Sequence, residues 1–259
     1  MGDTSTDWTA ELAFAEILAA AARRIALRHF RRPLEVEWKA DESPVTIADR
    51  EIETELRRLI RNRFPGHGIL GEEFAAQPGD GCMWVVDPID GTQSFICGVP
   101  LFGTLIGLLH DATPVLGVID VPALDERWLG CTGAVTRCNG TTVRTSGCAD
   151  LAQARIYTTS PDAFDSEAWQ RYDALSRRAA IRRFGGDCYN YGLLASGHCE
   201  LVIEAGLRPY DYLALVPVIE GAGGQISDWN GRPLGLGSDG LVVAAANSTL
   251  WKQTLDDLR

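Results

Sequence analysis

The apolar positions begin with helical spacing. Leu12, Ile17, Leu18, Ala21 and Ile25 share one stripe, which predicts an amphipathic helix within the first 30 residues. A second helix is marked at its start, where Thr46 stands as an N-cap with Asp49 three residues on, as in a capping box. Ile52, Leu56, Leu59, Ile60 and Phe64 follow at helical spacing until Pro65-Gly66 stops the run. The period then becomes that of strands, predicted over 67–70, 83–86, 102–109, 115–121 and 127–131 with Gly, Pro and Asp turns between them. Asn139-Gly140 is a hairpin signal. From about residue 150 the two patterns alternate. Strands are predicted over 156–159, 181–184, 201–204 and 241–246, and helices over 165–179, 189–196, 212–222 and the C-terminal stretch. This grammar predicts an α/β or α+β protein of layered sheets and helices. The change of pattern and the polar stretch Thr145-Ser-Gly-Cys-Ala-Asp150 place a domain boundary near residue 148, dividing the chain into 1–147 and 148–259.

Composition narrows the class. A chain of 259 residues, 46% hydrophobic and 23% charged, is long enough for a sizeable core and unlike disordered, collagenous or coiled-coil sequences. The 24 Lys+Arg against 35 Asp+Glu give a net charge of −11, which disfavours nucleic acid as the main partner. The same acidity suits cations, although solubility alone would account for it. None of the seven cysteines forms a C-x-x-C, so they read as reduced thiols of a cytosolic protein rather than a zinc site or redox pair. The polar start of the chain lacks a basic segment, so no signal peptide is expected. The apolar stretch 12–27 is broken by Glu16, Arg23 and Arg24, and no membrane span is expected either. The cytoplasm is the expected location. Gly235-Leu-Gly-Ser-Asp-Gly240 has the form G-x-G-x-x-G but precedes a strand instead of following one, so it reads as a glycine-rich loop.

The candidate chemistry lies in acids at the ends of hydrophobic elements. Gly71-Glu72-Glu73 follows one strand, Trp84-Val-Val-Asp87-Pro88-Ile89-Asp90-Gly91-Thr92 ends another, and Pro209-Tyr210-Asp211 opens a helix. Strand ends are rigid mounts on which carboxylates can converge. Pro88 fixes the turn between Asp87 and Asp90, so both acids and the Ile89 carbonyl can aim at one point. Such hard oxygens suit Mg²⁺, and a cation removes the repulsion between them. Gly91-Thr92 adds backbone N–H groups and a hydroxyl for a phosphate or a water. Taken singly, D-P-x-D-G reads as a capped turn and G-E-E as a solvated loop; their joint order and spacing favour a site.

Together these segments resemble the inositol monophosphatase superfamily of Mg²⁺-dependent phosphatases. The resemblance is carried by Lys39-Ala-Asp-Glu-Ser-Pro-Val-Thr-Ile-Ala-Asp49, Gly71-Glu-Glu73, the segment from Trp84 to Thr92, Tyr210-Asp-Tyr-Leu-Ala-Leu215 and Glu220-Gly-Ala-Gly-Gly224. Tyr210 stands where the family usually has Trp and Gln93 where it often has Thr; neither removes a ligand. The histidinol-phosphate phosphatase branch is the most similar, on the segment 94–107, Thr158-Thr-Ser-Pro161, Asp187-Cys-Tyr-Asn-Tyr191 and the segment 202–211. The resemblance implies a sandwich of alternating helix and sheet layers, as in the inositol monophosphatases and fructose bisphosphatases. It also implies a homodimer, and two or three Mg²⁺ per site. Glu72, Asp87 and the Ile89 carbonyl would hold the first ion, and Asp87, Asp90 and Asp211 the second. Asp49 would sit near a third. Thr92 and Glu72 would orient the attacking water, and the N–H groups of Gly91 and Thr92 would meet the phosphate.

The expected substrate is a small phosphate ester, histidinol phosphate. Its ammonium and imidazole call for acids away from the metals, and Glu204 and Asp187 are the candidates. Asp187 also reads as the N-cap of the helix that follows it. The rival ester is inositol phosphate. A nucleotide bisphosphatase would want a denser basic cluster than Arg182-Arg183, and a non-catalytic metal-binding regulator would be expected to lose a ligand or Thr92. His29, His67, His110 and His198 read as structural, and Cys188 as packing.

Overall fold

The computed structural model describes residues 7–33, 36–38 and 44–258. Residues 39–43 of the first motif above lie outside it. In chain order the elements are α1 (Thr9–His29), β1 (Val36–Trp38), β2 (Pro44–Thr46), α2 (Ile47–Arg63), β3 (Gly68–Gly71), β4 (Cys82–Asp90), α3 (Thr92–Ile96), β5 (Gly103–His110), β6 (Thr113–Val121), β7 (Glu126–Cys131), β8 (Arg137–Cys138) and β9 (Thr141–Thr142). They continue with β10 (Arg155–Thr158), α4 (Ser166–Ser176), β11 (Ile181–Phe184), α5 (Tyr189–Ala195), β12 (Leu201–Glu204), α6 (Pro209–Tyr212), α7 (Leu215–Gly221), β13 (Gln225–Asp228), β14 (Val242–Ala245) and α8 (Ser248–Leu258).

Strands β3 to β9 form a seven-stranded sheet in sequence order, antiparallel except for the β3–β4 pair. A five-stranded sheet runs β11-β10-β12-β14-β13, with β10 parallel to both neighbours and the other pairs antiparallel. Helices α1 and α2 cover one face of the large sheet, α5 to α7 fill the space between the two sheets, and α4 and α8 cover the far face of the small one. The expected layering of helix and sheet is the one observed. It explains why β5 and β6 read as near-continuous apolar runs: both of their faces are covered.

Local signals act as expected at several points. Thr46 caps α2 and Asp49 completes the capping box. The β8–β9 hairpin turns at Asn139-Gly140 with φ of 47° and 80°. The G-x-G-x-x-G run lies in the loop before β14.

Other elements depart from expectation. Ile17 is 55% exposed, because α1 turns Ala15, Ala19, Ala22 and Ala26 inward and these small residues centre the buried face away from it. The helix expected over 212–222 starts earlier and is split into α6 and α7. Pro217 has no N–H for the carbonyl of Leu213, and the backbone at Ala214 is drawn onto the large sheet. It is drawn there by a cross-strand row of Gly107, Gly117 and Gly130. A Cβ on Gly117 would lie 1.8 Å from the Ala214 carbonyl oxygen. The bare row thus seats the chain that carries Asp211. Strands β1, β2 and β13 are too short or too polar to show a period of two.

Candidate functional site

The central piece is a bulge. In a regular strand, residues three apart point to opposite faces. In β4, Asp87 pairs with Leu105 and Asp90 with Gly103, so Pro88 and Ile89 together oppose the single residue Thr104. The extra residue re-aims the strand. Pro88 suits the position because it has no N–H to leave unpaired, and the Thr104 hydroxyl donates to its carbonyl at 2.8 Å. The result brings ligand oxygens of Asp87, Asp90 and Asp211 within 4.8 Å of one another. The Ile89 side chain is buried in the core of α1 and α2, and its carbonyl accepts the Thr92 hydroxyl at 3.0 Å.

The other acids come from neighbouring turns. Asp211 lies in the first turn of α6, where its Oδ2 accepts the Arg208 N–H at 2.7 Å. Glu72 leaves the end of β3 and lines the same cleft as Gly91, Thr92, Ser94, Asp187 and Asp211, a space of about 600 Å³. Asp49 uses Oδ2 to cap α2, accepting from the Thr46 N–H at 2.8 Å and its hydroxyl at 2.6 Å. Asp49 Oδ1 and Asp87 Oδ1 are buried without a hydrogen-bond partner.

Such an arrangement works against ionisation. Burial, then Glu72, Asp90 and Asp211, raise the Asp87 carboxyl well above its ordinary value. Burial, then Asp187 and Asp211, do the same to Asp90, against a hydrogen bond from the Cys188 N–H at 2.6 Å. Asp211 is pushed up to about 7, first by burial. Asp49 is pushed up to about 6, again chiefly by burial, against its bonds from Thr46. Buried Asp87 with its orphaned oxygen, gathered at a strand bulge with the partly buried Asp90 and Asp211, makes the kind of oxygen donor set that a hard divalent cation takes. The residues present therefore fit Mg²⁺.

This predicts an unusual pH dependence. Each of these acids has a folded-state pKa above its unfolded value of about 4, so the folded protein holds more protons. Their contribution is complete below about pH 4 and is lost as pH rises through 6 and 7. Metal-stripped protein should melt lower at pH 8 than at pH 5, and added Mg²⁺ should raise the pH 8 melting temperature and close the gap. A melting temperature in EDTA that stays level or rises from pH 5 to pH 8 would contradict the cluster's role.

Beyond the cluster lies a smaller pocket of about 190 Å³, lined by Asp90, Asp187, Cys188, Tyr191, Glu204 and Asp211. Glu204 ends β12, fully buried, and accepts from the Thr158 hydroxyl at 2.9 Å and the Thr159 N–H and hydroxyl at 2.9 and 2.8 Å. Burial, opposed by those bonds, pushes it up to about 7. Asp187 is not the helix cap. Its backbone is left-handed at φ 47°, Cys188 occupies the cap position, and the Asp187 carboxylate takes the Ser94 hydroxyl at 2.8 Å. Gly91 makes room for it: with φ of 82°, a Cβ there would lie 2.8 Å from the Asp187 carboxyl carbon. Ser94, which holds Asp187, and Tyr191, whose buried hydroxyl has no hydrogen-bond partner, carry no sequence signal of their own. Both fall inside motif segments, but only the folded chain shows what they touch. The four histidines lie outside both pockets; His67, for one, accepts the Trp84 indole N–H at 3.1 Å.

A model of the inositol monophosphatase family matches residues 7–258. The chain belongs to this family. It is 44% identical to the bifunctional phosphatase IMPL2 of Arabidopsis thaliana, over all of this chain and 77% of that protein. It is 40% identical to a histidinol-phosphatase of Chlorobaculum parvum, over 91% of this chain and 92% of the relative. A solved inositol monophosphatase structure from Zymomonas mobilis superposes with a TM-score of 0.90 at 43% identity, covering 98% of this chain and 99% of the other. Phosphatases of the inositol monophosphatase family are generally metal dependent, in keeping with the acidic cluster here. Among the described residues no helix is long and apolar enough to cross a membrane.

Proposed function

We propose that this family member is a Mg²⁺-dependent phosphomonoesterase that hydrolyses histidinol phosphate to histidinol and phosphate. The observation that carries the reading is the pairing of Asp187 and Glu204 in one small pocket beside the acid cluster. Two carboxyls there suit a leaving alcohol that carries an ammonium and an imidazole. A charge-assisted hydrogen bond of this kind contributes about 1.5–3 kcal/mol. The histidinol-phosphatases among its relatives support the same substrate. A second reading, inositol phosphate, is favoured by the likeness to the Zymomonas mobilis enzyme.

Glu72, Asp87, Asp90, Asp211 and the Ile89 carbonyl would hold two ions, with Asp49 beside a third. Bound there, the cations would lower the pKa of a water and offset charge on the phosphate. Thr92 and Glu72 would orient a water in line with phosphorus, and the N–H groups of Gly91 and Thr92 would hold the phosphate oxygens. No covalent intermediate is required. Cys188 lines the pocket, but burial and then Asp90 push its thiol well up, so it is a poor nucleophile. The working molecule would be a cytoplasmic homodimer acting on a small molecule, with no role for nucleic acid or membrane.

The test is phosphate release with Mg²⁺ from histidinol phosphate, inositol phosphate and 3′-phosphoadenosine phosphate. Histidinol phosphate should give the highest kcat/KM. Asp187→Asn and Glu204→Gln should each lower that value by roughly tenfold or more, at about 1.4 kcal/mol per decade. Hydrolysis of a neutral phosphate ester should change much less. Equal losses on both esters would assign these acids to the fold or the metals, and a wild type that prefers inositol phosphate would overturn the substrate.

A further inference from the structure

The turn that carries Glu72 is held from beneath by a buried ion pair on α2. Glu53 and Arg57 lie one helical turn apart, and their side chains are 0% and 6% exposed. An i,i+4 pair of this type ordinarily lies on the solvated face of a helix. Here it faces the turn after β3. Glu53 Oε2 accepts the Glu73 N–H at 2.7 Å, and Oε1 accepts the Phe74 N–H at 3.3 Å. Arg57 Nε donates to the same Oε1 at 2.7 Å, while its terminal nitrogen donates to the Phe74 carbonyl at 2.9 Å. The pair thus holds the N–H groups of the two residues that follow Glu72 and the carbonyl of Phe74. Gly71, just before Glu72, is the remaining element: a Cβ there would stand 2.0 Å from Glu53 Oε1. Glycine lets the carboxylate rise against the turn.

We propose that Glu53 and Arg57 are positioning residues that hold Glu72 in its metal-binding place before the ion arrives. The inference rests on the reading of Glu72 as a ligand. A buried ion pair is weak evidence for stability, since apolar residues often serve as well. These two charges are arranged differently, because they satisfy the turn's two N–H groups and one carbonyl, which apolar side chains cannot do. An ion that finds Glu72 already placed does not bear the cost of ordering the turn, so the brace acts on metal affinity.

The experiment is calorimetric titration of Mg²⁺ into EDTA-stripped full-length protein, without substrate, well below every variant's melting temperature. Glu53→Gln keeps the shape but puts a donor where an acceptor is needed. It should raise the Mg²⁺ dissociation constant about tenfold or more, while kcat at saturating Mg²⁺ stays within a few-fold. Arg57→Lys keeps the charge but loses the bridge to the Phe74 carbonyl, and should shift affinity the same way by less; it also serves if Glu53→Gln folds poorly. Leu56→Ala, in the neighbouring core, is the control: it should lower the melting temperature without moving Mg²⁺ affinity. Unchanged affinity in both brace variants, or an equal shift in Leu56→Ala, would overturn the proposal. A wild type that binds no Mg²⁺ would overturn the metal reading beneath it as well.

Discussion

Asp90→Asn, and equally Asp87→Asn, should reduce phosphatase activity by about three orders of magnitude or more at saturating Mg²⁺, on the scale of the electrostatic contributions in such sites. Each substitution removes a charge without changing volume. Asp87 and Asp90 converge only because of the bulge at Pro88-Ile89, and each is a member of the three-acid group. Asp87 is buried and Asp90 partly so, and both stand among like charges that raise their carboxyls. The metal-free variants should therefore keep at least the melting temperature of metal-free wild type, since one member of a repelling set has become neutral. Loss of activity without loss of metal-free stability separates a ligand from a residue of the fold. Turnover within tenfold of wild type in either variant would sink the assignment. The measurements are steady-state phosphate release over a Mg²⁺ series and thermal melts in EDTA.

Thr92→Ala should act on a different quantity. The Thr92 hydroxyl bonds the Ile89 carbonyl at the mouth of the acid cluster, at the start of the short helix α3. A group that orients the attacking water matters most in the transition state, so its loss should appear in kcat with KM nearly unchanged. The expected fall in kcat is about a hundredfold, the lower end of what one positioned polar group contributes. A change in KM alone would make Thr92 a binding residue and leave the water without its proposed partner.

The parts of this molecule that were legible in its sequence are those whose signal is local. The capping box at Thr46 and Asp49, the Asn139-Gly140 hairpin and the apolar runs of β5 and β6 each need only a few neighbouring residues to show themselves. The acid motifs were legible for the same reason, since Asp87 and Asp90 fall within the four consecutive residues Asp87-Pro88-Ile89-Asp90. What was hidden depends on contacts far apart in the chain. The split between α6 and α7 reflects a glycine row on three other strands. Asp187 reads locally as a helix cap, whereas its carboxylate is held by Ser94, 93 residues away. The strand that ends in the motif was expected to stop at Val86, yet β4 runs on to Asp90, because bulged strands break the alternation by which strands are recognised. Glu53 and Arg57 have the spacing of an ordinary surface pair, and only the fold turns them inward.

The cleft lies between two sheets, and the two sheets supply different things to it. Asp87, Asp90 and Thr92 belong to β4 and the turn beyond it, whereas Thr158, Thr159 and Glu204 belong to β10, β12 and their ends. On the reading proposed here, β4 and α3 carry most of the tools of hydrolysis, Asp211 is added from α6, and recognition of the alcohol falls to Glu204 at the end of β12 and to Asp187, which Ser94 of α3 holds. A substitution at Glu204 then changes which alcohol is accepted while the acids of β4 stay in place.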